Sequence, residues 1–296
     1  MATNLPPTPD ASARLSEHPP TADELADYLE THRAAAPSAW VQRVPLMALG
    51  GAVLLALLLG GPAGWVLPWL AFTTFIIYQG QRVGSVKLLG RRLDRAQDLV
   101  MLRHHGAAWQ LAWRLIPRLV THPALQHRAV AVLARSLSEA GAHDAAMVAY
   151  DRLLEDLPDG HPGAIQLRVQ RAIASLFTEQ LSDADDALRR LRGPVEPLAG
   201  STVGAAYRLA CLFQAVQTAH YREAIEESDG LVEALRPLGV DAGYGHALLA
   251  WCHRQRGDEA AGDAEQARSW WARATTLLPH RSLVARFPLL GEMSDA

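Results

Sequence analysis

Two cysteines, Cys211 and Cys252, are all that this chain of 296 residues carries, so it holds no disulfide framework of the kind that staples small secreted domains. In a reducing compartment both are expected to be small core residues. Lysine is almost missing: Lys87 is the single lysine among 28 basic residues, and Asn4 is the only asparagine. That scarcity, with abundant alanine, is the composition of a GC-rich, bacterial genome. A net charge of −3 lacks the basic excess of a dedicated nucleic-acid binder. Also missing are a Gly-rich phosphate loop, a G-x-S-x-G elbow, H-E-x-x-H and C-x-x-C. No enzyme activity, catalytic residue, cofactor or metal is therefore expected. His246, Cys252 and His253 share one predicted helix, but Cys252 points about 100° away from His253 and no fourth ligand is evident.

The most informative absence is local. Between Arg43 and Arg82 there is no Asp, Glu, Lys, Arg or His. A bilayer core about 30 Å thick is crossed by about 20 helical residues, so this run is too long for one helix and nearly right for two. Its middle, Gly60-Gly61-Pro62-Ala63-Gly64, is a cluster of helix breakers. The expectation is a transmembrane helical hairpin over residues 44–81, with arms Val44–Leu59 and Trp65–Gln81. A single span with a re-entrant second arm, and a buried hairpin in a soluble protein, are the alternatives. Trp65 and Trp69 would mark one interface, Trp40 and Tyr78 the other. Arg82, Lys87, Arg91, Arg92 and Arg95 follow the run and Arg33 and Arg43 precede it, while its turn is uncharged. Both termini are thus expected in the cytoplasm, with the chain integral to a bacterial inner membrane and in contact with its lipid. Ala48, Ala52, Ala56 and Gly60 recur every four residues, a seam of small side chains for the second arm or for another membrane protein.

Residues 1–20 are rich in Pro, Ala and Ser and are expected to be a disordered tail. Thr21-Ala22-Asp23-Glu24 is a capping box that opens a short amphipathic helix within 21–43, free to dock on the C-terminal domain, the membrane surface or a partner. From residue 82 to 296 every pattern is helical, with no alternating β run. Leu89, Leu93, Ala96 and Val100 share one face of the first of these helices. In the stretch 127–158, Leu133-Ala134, Leu137, Gly141, Ala146, Tyr150, Leu153 and Pro158 take the positions of a helix-turn-helix unit. Leu249-Ala250, Gly257, Ala267, Trp271, Ala274 and Pro279 repeat them, with DEAAG lengthening the turn. Weaker copies lie at Gly106–Pro123, Phe177–Pro197 and Ala224–Pro237, where Leu209-Ala210 and Cys211-Leu212 offer two registers for the first helix.

These residues resemble the tetratricopeptide repeat (TPR) family, whose helix-turn-helix unit is about 34 residues long. The fold class expected is all-α: the hairpin, then a TPR-like α-solenoid of about five units. By that resemblance the first helices line a groove for segments of other proteins. Candidate groove residues are Arg128, Arg135, Ser138, Tyr244, Trp251 and Arg254, suited to an acidic segment with apolar anchors. Tyr244 and Trp251 serve equally well as packing residues. The carboxylate clamp of some family members needs Asn and Lys on the groove, and this domain has neither there. The function expected is a membrane-tethered protein–protein interaction adaptor or assembly factor. The alternative is a permanent structural subunit of a membrane complex, docked through the alanine seam.

Overall fold

Where a first helix ends and a second begins, the chain repeats one turn, and this turn organises the architecture. The computed structural model describes residues 18–34, 47, 66–158, 160–256 and 263–295. Among them there are helices and turns and no strand. Apart from residue 47, the first arm of the expected hairpin, its turn and the seam Ala48, Ala52, Ala56 and Gly60 lie outside the described residues, as does the DEAAG insertion. Among the described residues no helix is long and apolar enough to cross a membrane.

The described chain forms two compact units, one built on Glu24–Ser136 and the other on Leu137–Ala296, with Pro20–Asp23 counted with the second. The first contains α1 (Ala22–Thr31), α2 (Val66–Met101), α3 (His105–Leu115), a 3-10 turn at Ile116–Leu119 and most of α4 (Pro123–Glu139). The second arm of the charge-free run and the amphipathic helix after it are one continuous helix, α2, of 36 residues. Leu93, Ala96 and Val100 on its predicted face are buried, and α2 packs on α3. α1 docks on this unit. Leu25 and Leu29 are buried, the Tyr28 ring stacks on Trp113 at 3.7 Å, and its hydroxyl donates to the Trp113 carbonyl at 2.7 Å. Gln126, at the start of α4, donates to the carbonyl of His32 at 2.6 Å.

The second unit holds α5 (His143–Glu155), α6 (Pro162–Phe177), α7 (Leu181–Val195), α8 (Thr202–Gln217), α9 (Tyr221–Glu226), α10 (Ser228–Leu235), α11 (Ala242–Arg256), α12 (Asp263–Leu277) and α13 (His280–Arg286). First helices stack in a row, α6 on α8 and α8 on α11, while α5, α7 and α10 each pack on the first helix that follows them. Local chemistry sets the helix starts. The His161 imidazole accepts from the Gly163 amide ahead of α6, with Pro162 as its first residue, and the Ser201 hydroxyl accepts from the Gly204 amide ahead of α8.

The repeating turn is a Schellman cap. His104, Ala142, Gln180 and His220 donate their amides to the carbonyls of Leu99, Leu137, Ser175 and Ala215, each five residues back. The residue before each donor has positive φ: Arg103, Gly141, Glu179 and Ala219, at intervals of 38, 38 and 40 residues. A further 38 residues leads to Gly257, outside the described residues. The unit is therefore longer than the 34 residues or so of the family it resembles. Part of the extra length is a 3-10 turn opened by proline after α3, α7 and α10, with Pro117, Pro197 and Pro237 in their first turns. Proline lacks the amide that would prolong the α-helix.

Counted from the turn residue, the buried positions recur. Seven before it stand Ala96, Ala134, Ala172 and Leu212; five after it stand Ala108, Ala146, Ala184 and Ala224. The alanines let the two helices of a unit approach closely. Twelve after the turn come Leu115, Leu153, Leu191 and Leu231, all buried. This register selects Cys211-Leu212 over Leu209-Ala210 for α8. Three of the four described caps force an L-residue into the left-handed region at a cost of about 1–2 kcal/mol. Glu179→Gly, at φ +61°, is therefore expected to raise the stability of the second unit by about 0.5–1 kcal/mol, net of glycine's larger entropy loss, read as a higher urea midpoint.

Candidate functional site

Only five phenylalanines occur in the chain. Phe72 and Phe75 lie in the charge-free run, and the other three meet in one place. Phe177 ends α6, Phe213 lies on α8 and Phe287 follows α13. Their ring centroids are 4.7 Å apart for Phe177–Phe213 and for Phe213–Phe287, and 5.4 Å for Phe177–Phe287. Tyr244 of α11 approaches Phe287 edge-on at 5.7 Å, and His143, the first residue of α5, stacks on Phe177 at 4.4 Å. Such offset and edge-to-face ring pairs add about 0.5–1.5 kcal/mol each beyond area burial.

Phe287 belongs to a segment laid across the first helices. After α13 the chain leaves the helix at Phe287 (φ −128°, ψ 90°), the extended conformation that a following proline imposes. A 3-10 stretch, Pro288–Asp295, completes it. Leu283, Phe287, Leu290 and Met293 are all buried, at spacings of four, three and three residues. Beside Phe287, the Arg286 guanidinium sits 4.7 Å over the Phe177 ring. It pairs with Glu139 at 3.3 Å and donates to the Ser138 carbonyl at 3.3 Å, both in the last turn of α4. At the other end Arg254 of α11 donates to the Glu292 carbonyl and lies 3.7 Å from the Met293 sulfur.

Charge in the cluster is ordered. Burial, and then the Arg286 cation, push His143 down to about 4, against the opposing pull of Glu139. The imidazole is therefore neutral near pH 7, so Glu139 faces one cation, Arg286, and not two. A neutral stacked imidazole, the rings of Phe177 and Phe213 and the Glu139 carboxylate thus surround a cation and the large apolar side chain that follows it, Arg286 and Phe287.

Of the candidate groove residues, Ser138, Tyr244 and Arg254 are gathered around this segment. Trp251 is buried on α11, at 8% exposure. Arg128 and Arg135 belong to the first unit: Arg128 pairs with Asp94 at 2.8 Å and donates to Gln97, and Arg135 is exposed. The expectation of an acidic ligand rested on the three arginines. Arg128 already has a carboxylate, and Arg254 serves a main-chain carbonyl. Glu139, His143, Phe177, Phe213 and Arg286 escaped the sequence reading. The three phenylalanines outside the charge-free run are the one signal in the sequence, and they have no fixed spacing.

His253, weighed as a metal ligand from sequence, instead contacts Asp263 at 3.0 Å, with Arg256 3.6 Å from the other carboxylate oxygen. This buried pair joins the end of α11 to the start of α12, where a carboxylate also suits the helix dipole. His246 stacks on Trp270 at 5.5 Å. Among the described residues no group of three His, Cys, Asp or Glu is placed to hold a metal ion. No protein-family model, curated protein or solved structure matches the chain.

Proposed function

We propose that this chain is a membrane-tethered interaction adaptor or assembly factor, whose row of first helices takes up a segment of a partner protein on the cytoplasmic side of a bacterial inner membrane. The observation that carries the reading is Arg286-Phe287 seated on Glu139 and the phenyl cluster. The face is built to hold a peptide by apolar anchors, a cation over a ring and a main-chain acceptor, and residues 280–293 are its resident occupant. Anchors spaced along a short amphipathic segment are how helical grooves recognise peptides. A partner would displace that segment and present the same features. The tether is supported by the uncharged run and the basic residues that follow it.

A fluorescent peptide of residues 280–295, added to the full chain in detergent, tests the binding face. Wild type is expected to leave the peptide free because its own segment fills the site. Phe287→Ala, which loosens that segment, is expected to bind the peptide in trans. A folded Phe287→Ala variant and a folded Arg286→Ala variant that both ignore the peptide would overturn the reading. The tether is read by labelling Ala63→Cys from the periplasmic side of intact cells. The native thiols compete poorly: Cys252 is fully buried and pushed up to about 12, and burial raises Cys211 as well. No labelling at position 63 would sink the hairpin.

A further inference from the structure

The first unit contains a feature that peptide binding does not use. Between α2 and α3 lies a groove of about 470 Å³, lined by Arg92, Arg95 and Leu99 on one side and by Leu111, Arg114 and Arg118 on the other. Helix geometry explains the lining. Each triad falls at i, i+3 and i+7, which is one stripe of a helix. The short connection at 102–104 turns the chain back, so that early α2 faces late α3 and its 3-10 extension. The four arginines thus fall toward one end of the groove, with Leu115 between two of them, and Leu99, Ala107 and Leu111 toward the other.

All four arginines are exposed, and among the described residues none makes an ion pair or a side-chain hydrogen bond. Elsewhere on the surface Arg128, Arg152, Arg171, Arg189 and Arg222 each have a carboxylate within reach. In a chain of net charge −3, four cations converging without a counter-charge repel one another and leave a concentrated positive potential over an apolar floor. Guanidinium forks match phosphate oxygens in bidentate geometry. The volume falls within the roughly 300–1,000 Å³ of small-ligand sites.

We infer that this groove binds a phosphate-bearing ligand with two or more negative charges, its phosphates on the four arginines and an apolar portion over Leu99 and Leu111. A soluble metabolite and a lipid headgroup share that chemistry. Geometry separates them. Arg92 lies eleven residues beyond Gln81, about 16 Å along the helix, whereas the headgroup layer outside the hydrocarbon is about 5–8 Å deep. On the proposed tether, which this comparison rests on, a lipid reaches the groove only if α2 is strongly tilted to the membrane, and a soluble ligand reaches it at any tilt.

The test uses the full chain in nonionic detergent with two probes, inorganic pyrophosphate and dioctanoyl phosphatidic acid, the latter set against dioctanoyl phosphatidylcholine. Calorimetric titration is expected to show binding that weakens with salt. It should weaken about tenfold or more in Arg95→Ala/Arg114→Ala, as for loss of charge-assisted contacts, and stay unchanged in Arg91→Ala, whose side chain does not line the groove. Binding of both probes assigns a soluble source; binding of phosphatidic acid alone assigns a lipid. The ligand-free double variant is expected to melt no lower than wild type, since it relieves repulsion. Should it not fold, Arg95→Gln and Arg118→Gln carry the same comparison. Failure of both probes, equal binding by the arginine variants, or tighter binding of an oligoglutamate peptide than of either probe would overturn the assignment.

Discussion

Phe287→Ala is expected to destabilise the second unit by about 3–4 kcal/mol, the cost of truncating a buried phenylalanine where the surroundings relax only in part. Phe287 is 3% exposed and meets Phe177, Phe213 and Tyr244 in ring contact, so the substitution removes one ring contact from each of three aromatic side chains. Its effect spreads along the segment. Arg286 keeps Glu139 and the Ser138 carbonyl only while the chain is pinned beside them. Leu283 and Leu290 flank the anchor at four and three residues. Urea denaturation followed by far-ultraviolet circular dichroism reads the loss. Arg281→Ala, an exposed change on the same helix, is expected to stay within about 0.5 kcal/mol of wild type. Equal midpoints for Phe287→Ala and wild type would mean that the segment is not part of the cooperative unit.

Gly204→Ala is expected to cost about 3 kcal/mol or more, above the usual range for an added core methylene. A Cβ at this position would lie 2.3 Å from the Leu198 carbonyl oxygen and 2.8 Å from both the Cα and the carbonyl oxygen of Ala199. These are main-chain atoms, so no rotamer change makes room. The clash would push α8 off the turn that precedes it. The Ser201 hydroxyl accepts from the Gly204 amide and donates to the Leu198 carbonyl, so the helix cap would be strained with it. Gly230→Ala is the matched control. It lies inside α10 with nothing within 4 Å of the new methyl, and helix propensity alone should make it stabilising by about 0.5–1 kcal/mol. A thermal melt of the pair checks both signs together.

Much of the repeat was legible because its signals are local. Gly141 announces the left-handed cap, Ala146 and Leu153 follow at fixed offsets, and Pro197 and Pro237 close their second helices. The sequence is silent where the signal is positional and not chemical. Glu179 and Ala219 occupy the same cap as Gly141, yet neither residue type advertises positive φ. The period of 38–40 residues is therefore not marked by residue type at each cap. Glutamate and alanine are tolerated there because the Schellman hydrogen bonds and the packing on either side fix the turn whichever residue fills it.

The binding face was less legible. Candidate groove positions were transferred from the family's first helices, which are open toward a ligand. Here Ser138, Tyr244 and Arg254 already face residues 280–293. Contacts such as Arg286–Glu139 span 147 positions along the chain, and no periodicity encodes a separation of that kind. The same holds for α1, whose three possible docking surfaces were equal in sequence. Stacking of Tyr28 on Trp113 and the hydrogen bond to its carbonyl select the first unit.

By itself the sequence determined what depends on neighbours along the chain: helices throughout the described residues, those helix ends that glycine or proline marks, and a stretch of 38 residues without a charge. Hydrophobic spacing and backbone-restricted residues act within a turn or two of helix, so they can be read in order. The tertiary structure decided which faces find each other. It brought three distant phenylalanines into one cluster, filled a face that the sequence left open, and set four arginines around a groove without a carboxylate. Those outcomes depend on which side chains reach one another after the helices pack, and packing is set by the summed burial of many residues, not by any motif.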